Sequence, residues 1–148
     1  MTRIDPYPLW IGHAGDDQDF TRVCDAGIEA IVDLAAEEPP ALPPRDLIVC
    51  RVPLVDGPGN PLARLSLAVH TVAALAEAGI PTMVCCGAGL SRSPAVIAAA
   101  LALAHGGSPG DWLARVAAHH HGDVSPGLWA DLVALGPRAT WPTARLTD

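Results

Sequence analysis

Short apolar runs and helical stripes succeed one another along the first two thirds of the chain, separated by Gly and Pro. Pro8 to Gly12 (PLWIG) reads as a first strand that ends in a turn. From Asp16 to Ala26 the spacing predicts a helix with Phe20 and Val23 on one face and Gly27 past its end. Ile28 to Leu34 (IEAIVDL) predicts a strand, and Glu37 to Pro44 is too Pro-rich for regular structure. Leu47 to Val55 is again β-rich, with the strand expected to reach Val52. After the loop Asp56-Gly57-Pro58-Gly59, Asn60 suits an N-cap and Pro61 a first helical position. Leu62, Leu65, Val69, Val72 and Leu75 then form a helical stripe that Gly79 ends. Thr82 to Cys86 reads as a strand.

The dipeptide Ser-Pro occurs at 93–94, 108–109 and 125–126, each time before a helical pattern. Read as cap and first residue, these predict helices over Pro94–His105, Pro109–His119 and Pro126–Leu135. The stretch 136–148 has no period and is expected to be a mobile tail. With no linker composition in between, residues 1–148 are expected to form a single domain. Alternating strands and helices imply an α/β fold: a central, mostly parallel sheet of four to five strands with helices on both faces. Sites in such sheets form at the carboxyl ends of the strands. The loops after Val55 and after Val84 both meet that description.

Composition narrows the function. Half of the 148 residues are hydrophobic and only 4% are aromatic, so the core is built from Ala, Val, Leu and Ile. A net charge of −7 argues against a nucleic-acid or anionic-membrane surface. Four cysteines, two of them adjacent, form neither a disulfide framework nor a metal-binding spacing. There is no signal-peptide pattern at the N-terminus, and no apolar run is long enough to span a bilayer. A cytoplasmic location is the expectation.

The chemistry concentrates in Cys86-Gly87-Ala88-Gly89-Leu90-Ser91-Arg92-Ser93. A strand runs into this loop and a helix runs out of it. Such a loop aims backbone N–H groups at one point and adds the positive end of the helix dipole, which suits a phosphate dianion. Cys86 stands at its rim, in a setting that favours a thiolate nucleophile. Arg92 can fork onto two phosphate oxygens, and the Ser93 hydroxyl can donate to the sulfur. From Glu77 to Asp111 no acidic residue intervenes and Arg92 is the only fixed charge, so a local positive field is expected here. Asp56 follows a strand on the same sheet edge and is the candidate proton donor, and Gly57 and Gly59 would let its loop move. An Asp-Gly turn is the plainer use of the same residues. Asp33 lies within a strand, and Asp46 precedes one at the opposite edge.

This loop closely resembles the signature of cysteine-based protein tyrosine phosphatases, and Ala-Gly-x-Ser-Arg-Ser-Pro-Ala resembles the dual-specificity branch. Leu9 to Gly12, Val52 to Asp56, Gly106-x-Ser108 and the helix with Trp112 and Val116 are similar to other parts of that branch, so the resemblance spans about Pro8 to Leu135. It implies hydrolysis of phosphomonoesters, phosphotyrosine in proteins first, through a cysteinyl-phosphate on Cys86. Arg92 and the N–H groups of Gly87, Ala88, Gly89, Leu90 and Ser91 would hold the phosphoryl oxygens. Asp56 would be the acid and then the base, and no metal or cofactor would be needed. The absence of Lys from the loop disfavours polyphosphorylated lipids and leaves small phosphomonoesters open. Cys85 departs from the family pattern, which has His there. A pseudophosphatase that only binds phosphate is the rival reading, and Cys85 is either a buried loop residue or a trap that forms a vicinal disulfide with oxidised Cys86. His119-His120-His121 reads as helix-end histidines rather than metal ligands.

Overall fold

In the computed structural model, described here for residues 1–43 and 46–136, five strands and five helices alternate. The strands are β1 (Thr2–Arg3), β2 (Leu9–His13), β3 (Ala30–Ala35), β4 (Ile48–Leu54) and β5 (Thr82–Cys86). The helices are α1 (Phe20–Asp25), α2 (Leu62–Glu77), α3 (Arg92–His105), α4 (Pro109–His119) and α5 (Pro126–Ala134). The sheet order is β1-β2-β5-β3-β4, parallel throughout except for β1 against β2. This is the expected α/β sheet, with the short edge strand β1 added. The expectation for residues 137–148 lies outside the described residues. Among the described residues no helix is long and apolar enough to cross a membrane.

Strand alternation sorts the core into two layers. Val32, Val84 and Cys86 face a large cluster shared with α2, α3, α4 and α5. Ile31, Met83 and Cys85 face a smaller one with Val23 of α1 and Ile28. Helices therefore cover both faces, four on one and a short one on the other. β5 sits in the middle of the sheet and is buried at every position, as is β3 beside it. The signature loop thus leaves a central strand that is buried throughout.

Several boundaries differ from the pattern reading. The helix expected from Asp16 starts only at Phe20, because Asp19 is the cap and accepts from Arg22 N at 3.1 Å. Asp16 is instead buried in the preceding turn, accepting from His13 N and paired with Arg22. β4 runs through Pro53 to Leu54; it is an edge strand, where a missing N–H costs little. Asn60 is not the cap of α2, and Ser93 is not the cap of α3, since that helix begins at Arg92 with Ser91 as its cap residue. Ser108 does cap α4, accepting from Asp111 N at 3.1 Å.

Candidate active site

β5 ends at Cys86 and α3 begins at Arg92, so the five-residue turn from nucleophile candidate to arginine is as tight as the motif implies. Glycine is required at Gly89, and a side chain at Gly87 would have to displace Glu37. Gly89 has φ +70°, and a Cβ there would lie 2.9 Å from the Gly12 carbonyl oxygen. A Cβ on Gly87 would lie 2.6 Å from Glu37 Oε1 and 3.2 Å from an Arg92 terminal nitrogen.

The loop's carbonyls are held from outside. Ala14 N donates to Gly87 O at 3.3 Å, His120 Nε2 to Gly89 O at 2.9 Å, and Asp123 N to Leu90 O at 2.8 Å. A carbonyl can only accept, so His120 carries its proton on Nε2, and its Nδ1 meets Thr2 Oγ1 at 3.1 Å. In a planar trans peptide the carbonyl and the next N–H point opposite ways. Fixing these three carbonyls therefore turns the N–H groups of Ala88, Leu90 and Ser91 to the loop's other side. Of the three adjacent histidines, His120 has this specific role, while His119 bonds back to the Arg115 carbonyl at the helix end.

Arg92 is only 4% exposed, and the partners of its nitrogens define which edge of the guanidinium is open. Nη1 donates to Leu54 O at 2.8 Å, to Leu34 O at 3.4 Å and to Glu37 Oε2 at 2.6 Å. Nη2 donates to Glu37 Oε1. Glu37 thus takes the end-on edge of the guanidinium, and Nε is buried with no partner. The edge formed by Nε and the remaining Nη2 hydrogen is the side-on fork that a second oxyanion fits. The Arg92 hydrogen bonds hold the Glu37 carboxyl below the usual carboxylate range. Arg51 sets the position of Glu37: it pairs with buried Asp33 at 3.0 Å and donates to the carbonyls of Ala35 and Glu38. Pattern reading assigned residues 37–44 to a loop and gave Glu37 no role. Its one sequence signal is that it directly follows a buried strand beside the signature strand.

Asp56 and Cys86 line one cleft of about 420 Å³ together with Glu37, Ser91 and Arg92. Ser91 Oγ donates to Asp56 Oδ1 at 2.6 Å and accepts from Ser125 N at 2.9 Å. The Ser91 hydroxyl is therefore engaged in tethering Asp56, which leaves its backbone N–H for a ligand. Asn60 is buried and organises the Asp56 loop: Oδ1 accepts from Val55 N at 2.8 Å, and Nδ2 donates to Val55 O and Gly57 O. Gly59 N also donates to Asp131 at 3.0 Å. The loop is thus hydrogen-bonded at both ends. Ser93 is fully buried in the first turn of α3, and its hydroxyl has no partner.

The expected positive field is also corrected. The segment around Arg92 is free of acid in sequence, but Glu37, Glu38, Asp56 and Asp123 all line the cleft, brought there by other connections. A separate apolar cavity of about 270 Å³ between α2, α3 and α5 is lined, among the described residues, by no titratable side chain.

Cys85 points to the opposite face from Cys86, with its sulfur 3.6 Å from Asp17 Oδ2 and 3.7 Å from Val32 O. Burial, then the charges of Asp17 and Asp33, push its thiol far above the ordinary cysteine range. The ligand atoms of Asp17, Asp33 and Cys85 lie within 4.8 Å of one another. Asp33 accepts from Arg51 and from Ala35 N, and the Cys85 thiol lies within hydrogen-bond reach of Asp17, so the three side chains form one hydrogen-bonded cluster. Opposite facing also removes the geometry for a Cys85–Cys86 disulfide without unravelling the end of β5.

Residues 10–106 match the family model described as "Polymorphic toxin system, DSP-PTPase phosphatase". No curated protein matches the sequence. Among solved structures, human DUSP28 superposes with a TM-score of 0.79 at 27% identity, covering 90% of this chain and 94% of that one. A mouse dual-specificity phosphatase-type protein, complexed with zinc tungstate, superposes with a TM-score of 0.79 at 28% identity, covering 96% and 92%. The human tyrosine phosphatase-like serine/threonine/tyrosine-interacting protein shares the fold at 20% identity and a TM-score of 0.75, covering 90% and 94%.

Proposed function

Because the chain belongs to the DSP-PTPase phosphatases of polymorphic toxin systems, a family of cysteine-based phosphatases of the dual-specificity type, we propose that it hydrolyses phosphomonoesters, phosphotyrosine in proteins foremost, through a cysteinyl-phosphate on Cys86. The observation that carries this reading is the unpartnered, buried Nε of Arg92 in the cleft that holds Cys86 and Asp56. A buried donor without an acceptor costs about 1–3 kcal/mol, and an oxyanion on the side-on fork would relieve that.

In the first step the Cys86 sulfur attacks phosphorus, the S–P bond forms and the bond to the leaving oxygen breaks. Asp56 supplies the proton that this oxygen takes. Arg92 and the N–H groups that the pinned carbonyls turn inward hold the equatorial oxygens as charge shifts. In the second step water attacks phosphorus, Asp56 takes its proton, and the S–P bond breaks to free phosphate and the thiolate. Ser93, buried with an unengaged hydroxyl at the start of α3, would have to turn that hydroxyl toward the sulfur to donate to it as it leaves. Glu37 holds the arginine's end-on edge, so its side-on edge meets the phosphoryl group without searching.

Hydrolysis of p-nitrophenyl phosphate under reducing conditions tests the proposal, with Cys86→Ser as the control. Wild type should turn over and the variant should not. Tungstate, the oxyanion bound in the mouse relative's structure, should raise the melting temperature of both proteins. Turnover by wild type no faster than by Cys86→Ser would leave a module that binds phosphate without cleaving it.

A further inference from the structure

Three connections that are far apart in sequence deliver carboxylates to one rim. Glu37 and Glu38 follow β3, Asp56 follows β4, and Asp123 lies between α4 and α5. Among the described residues Arg92 is the only cation lining the cleft, and its end-on edge is already paired with Glu37. Among the described residues Glu38, Asp56 and Asp123 make no ion pair. Asp56 and Asp123 are exposed and Glu38 is half-buried. Inside the loop, a phosphoryl dianion meets backbone N–H groups and the Arg92 fork. Just outside, it would stand within a rim of unpaired negative charge. At these separations charges act on one another through partly screened solvent, so the rim opposes any further negative group on the substrate and favours a positive one.

From this arrangement we infer that the preferred substrates carry Lys or Arg beside the phosphorylated tyrosine; the inference rests on the phosphatase reading above and specifies its substrates. The cation of a residue flanking the phosphotyrosine would sit against Asp123 or Glu38 while the phosphoryl group occupies the loop. Acidic flanks and additional phosphates would be selected against. This is discrimination by an adverse charge as well as by an attractive one. Each exposed pair is worth a modest factor, up to about fivefold, so two flanking cations should together favour a substrate by roughly tenfold.

The test uses three phosphotyrosine peptides, identical except for Lys, Ala or Glu on each side of the phosphotyrosine. With wild-type enzyme, kcat/KM should fall in the order Lys, Ala, Glu, with roughly tenfold between the ends. The spread should collapse as ionic strength rises from about 0.01 M to about 1 M, because the Debye length falls from about 30 Å to about 3 Å. Asp123→Lys and Glu38→Lys should each shrink the Lys-to-Glu ratio. That ratio is taken within one protein, so a loss of folded or active enzyme does not alter it. Equal kcat/KM for all three peptides, or a preference for the Glu peptide, would overturn the inference while leaving the phosphatase reading intact. Failure to hydrolyse any of them would sink both.

Discussion

Replacing Glu37 by Gln removes one charge and almost no volume, and it addresses how Arg92 is kept in place. In the wild type two carboxylate oxygens take the end-on edge of the guanidinium, and the carbonyls of Leu54 and Leu34 take the rest of Nη1. Gln offers one acceptor and turns an NH₂ donor toward another donor. One charge-assisted hydrogen bond is lost, nominally about 1.5–3 kcal/mol. The Glu37 side chain is 51% exposed while that of Arg92 is 5% exposed. Solvent screens the glutamate, which brings the figure down to about 1–2 kcal/mol. If that loss appears as poorer orientation of Arg92 in the transition state, kcat should drop by about 5- to 30-fold. The assay is p-nitrophenyl phosphate turnover beside thermal melting as a function of pH. The Glu37 carboxyl is held below its unfolded value, so its contribution to stability is complete above about pH 4.3 and fades as pH falls through the lower folded value. The gap in melting temperature between wild type and Glu37→Gln should therefore be widest near neutrality and close in acid. A variant with kcat equal to or above wild type would refute the reasoning. It would mean that Glu37 competes with the phosphoryl group for Arg92 rather than orienting it.

Asp56→Asn should lower kcat by about 10²- to 10⁴-fold, with tungstate affinity nearly unchanged by calorimetry; unaltered turnover of a phosphotyrosine peptide would remove Asp56 from the mechanism. His120→Ala frees the Gly89 carbonyl and should weaken tungstate binding by about 1 kcal/mol. His120→Gln, which can still donate to Gly89 O, should recover most of that loss, and equal effects from both variants would point to a merely structural role. Cys86 lines the cleft, whereas Cys85 faces the other side of the sheet with a strongly raised thiol, so iodoacetamide at neutral pH should alkylate Cys86 and spare Cys85. Mild peroxide should likewise oxidise Cys86 without a bond to Cys85, and mass spectrometry detecting that bond would contradict the opposite facing of the two side chains.

The strands were legible because their apolar runs are short and bounded by Gly or Pro; β5 spans the very residues, Thr82–Cys86, read from the pattern. The signature loop was legible because its chemistry is local. A nucleophile, an anion-binding turn and an arginine must follow one another within one strand-to-helix connection, so residue order alone brings them together. Asp56 could be placed on the correct edge by topology, since both loops leave the carboxyl ends of parallel strands. Caps were less legible. Asn60 and Ser93 have the side chains of caps, yet tertiary partners and burial assign them elsewhere.

What only the tertiary structure decided is everything that depends on contacts between distant segments. Glu37 reaches Arg92 across 55 positions, Ser91 reaches Asp56 across 35, and His120 reaches Gly89 across 31. None of these pairs leaves a spacing in the sequence. The sign of the field around the site belongs here too. Read along the chain, the nucleophile lies in a stretch without acid. Folded, the same cleft is rimmed by four carboxylates. Electrostatic interaction depends on distance through space, and a linear sequence orders charges only along the backbone. Residue order alone was enough to set Cys86 and Arg92 at the two ends of one glycine-containing strand-to-helix turn. The fold decided how Arg92 is aimed, how Asp56 is tethered, and which carboxylates rim the cleft.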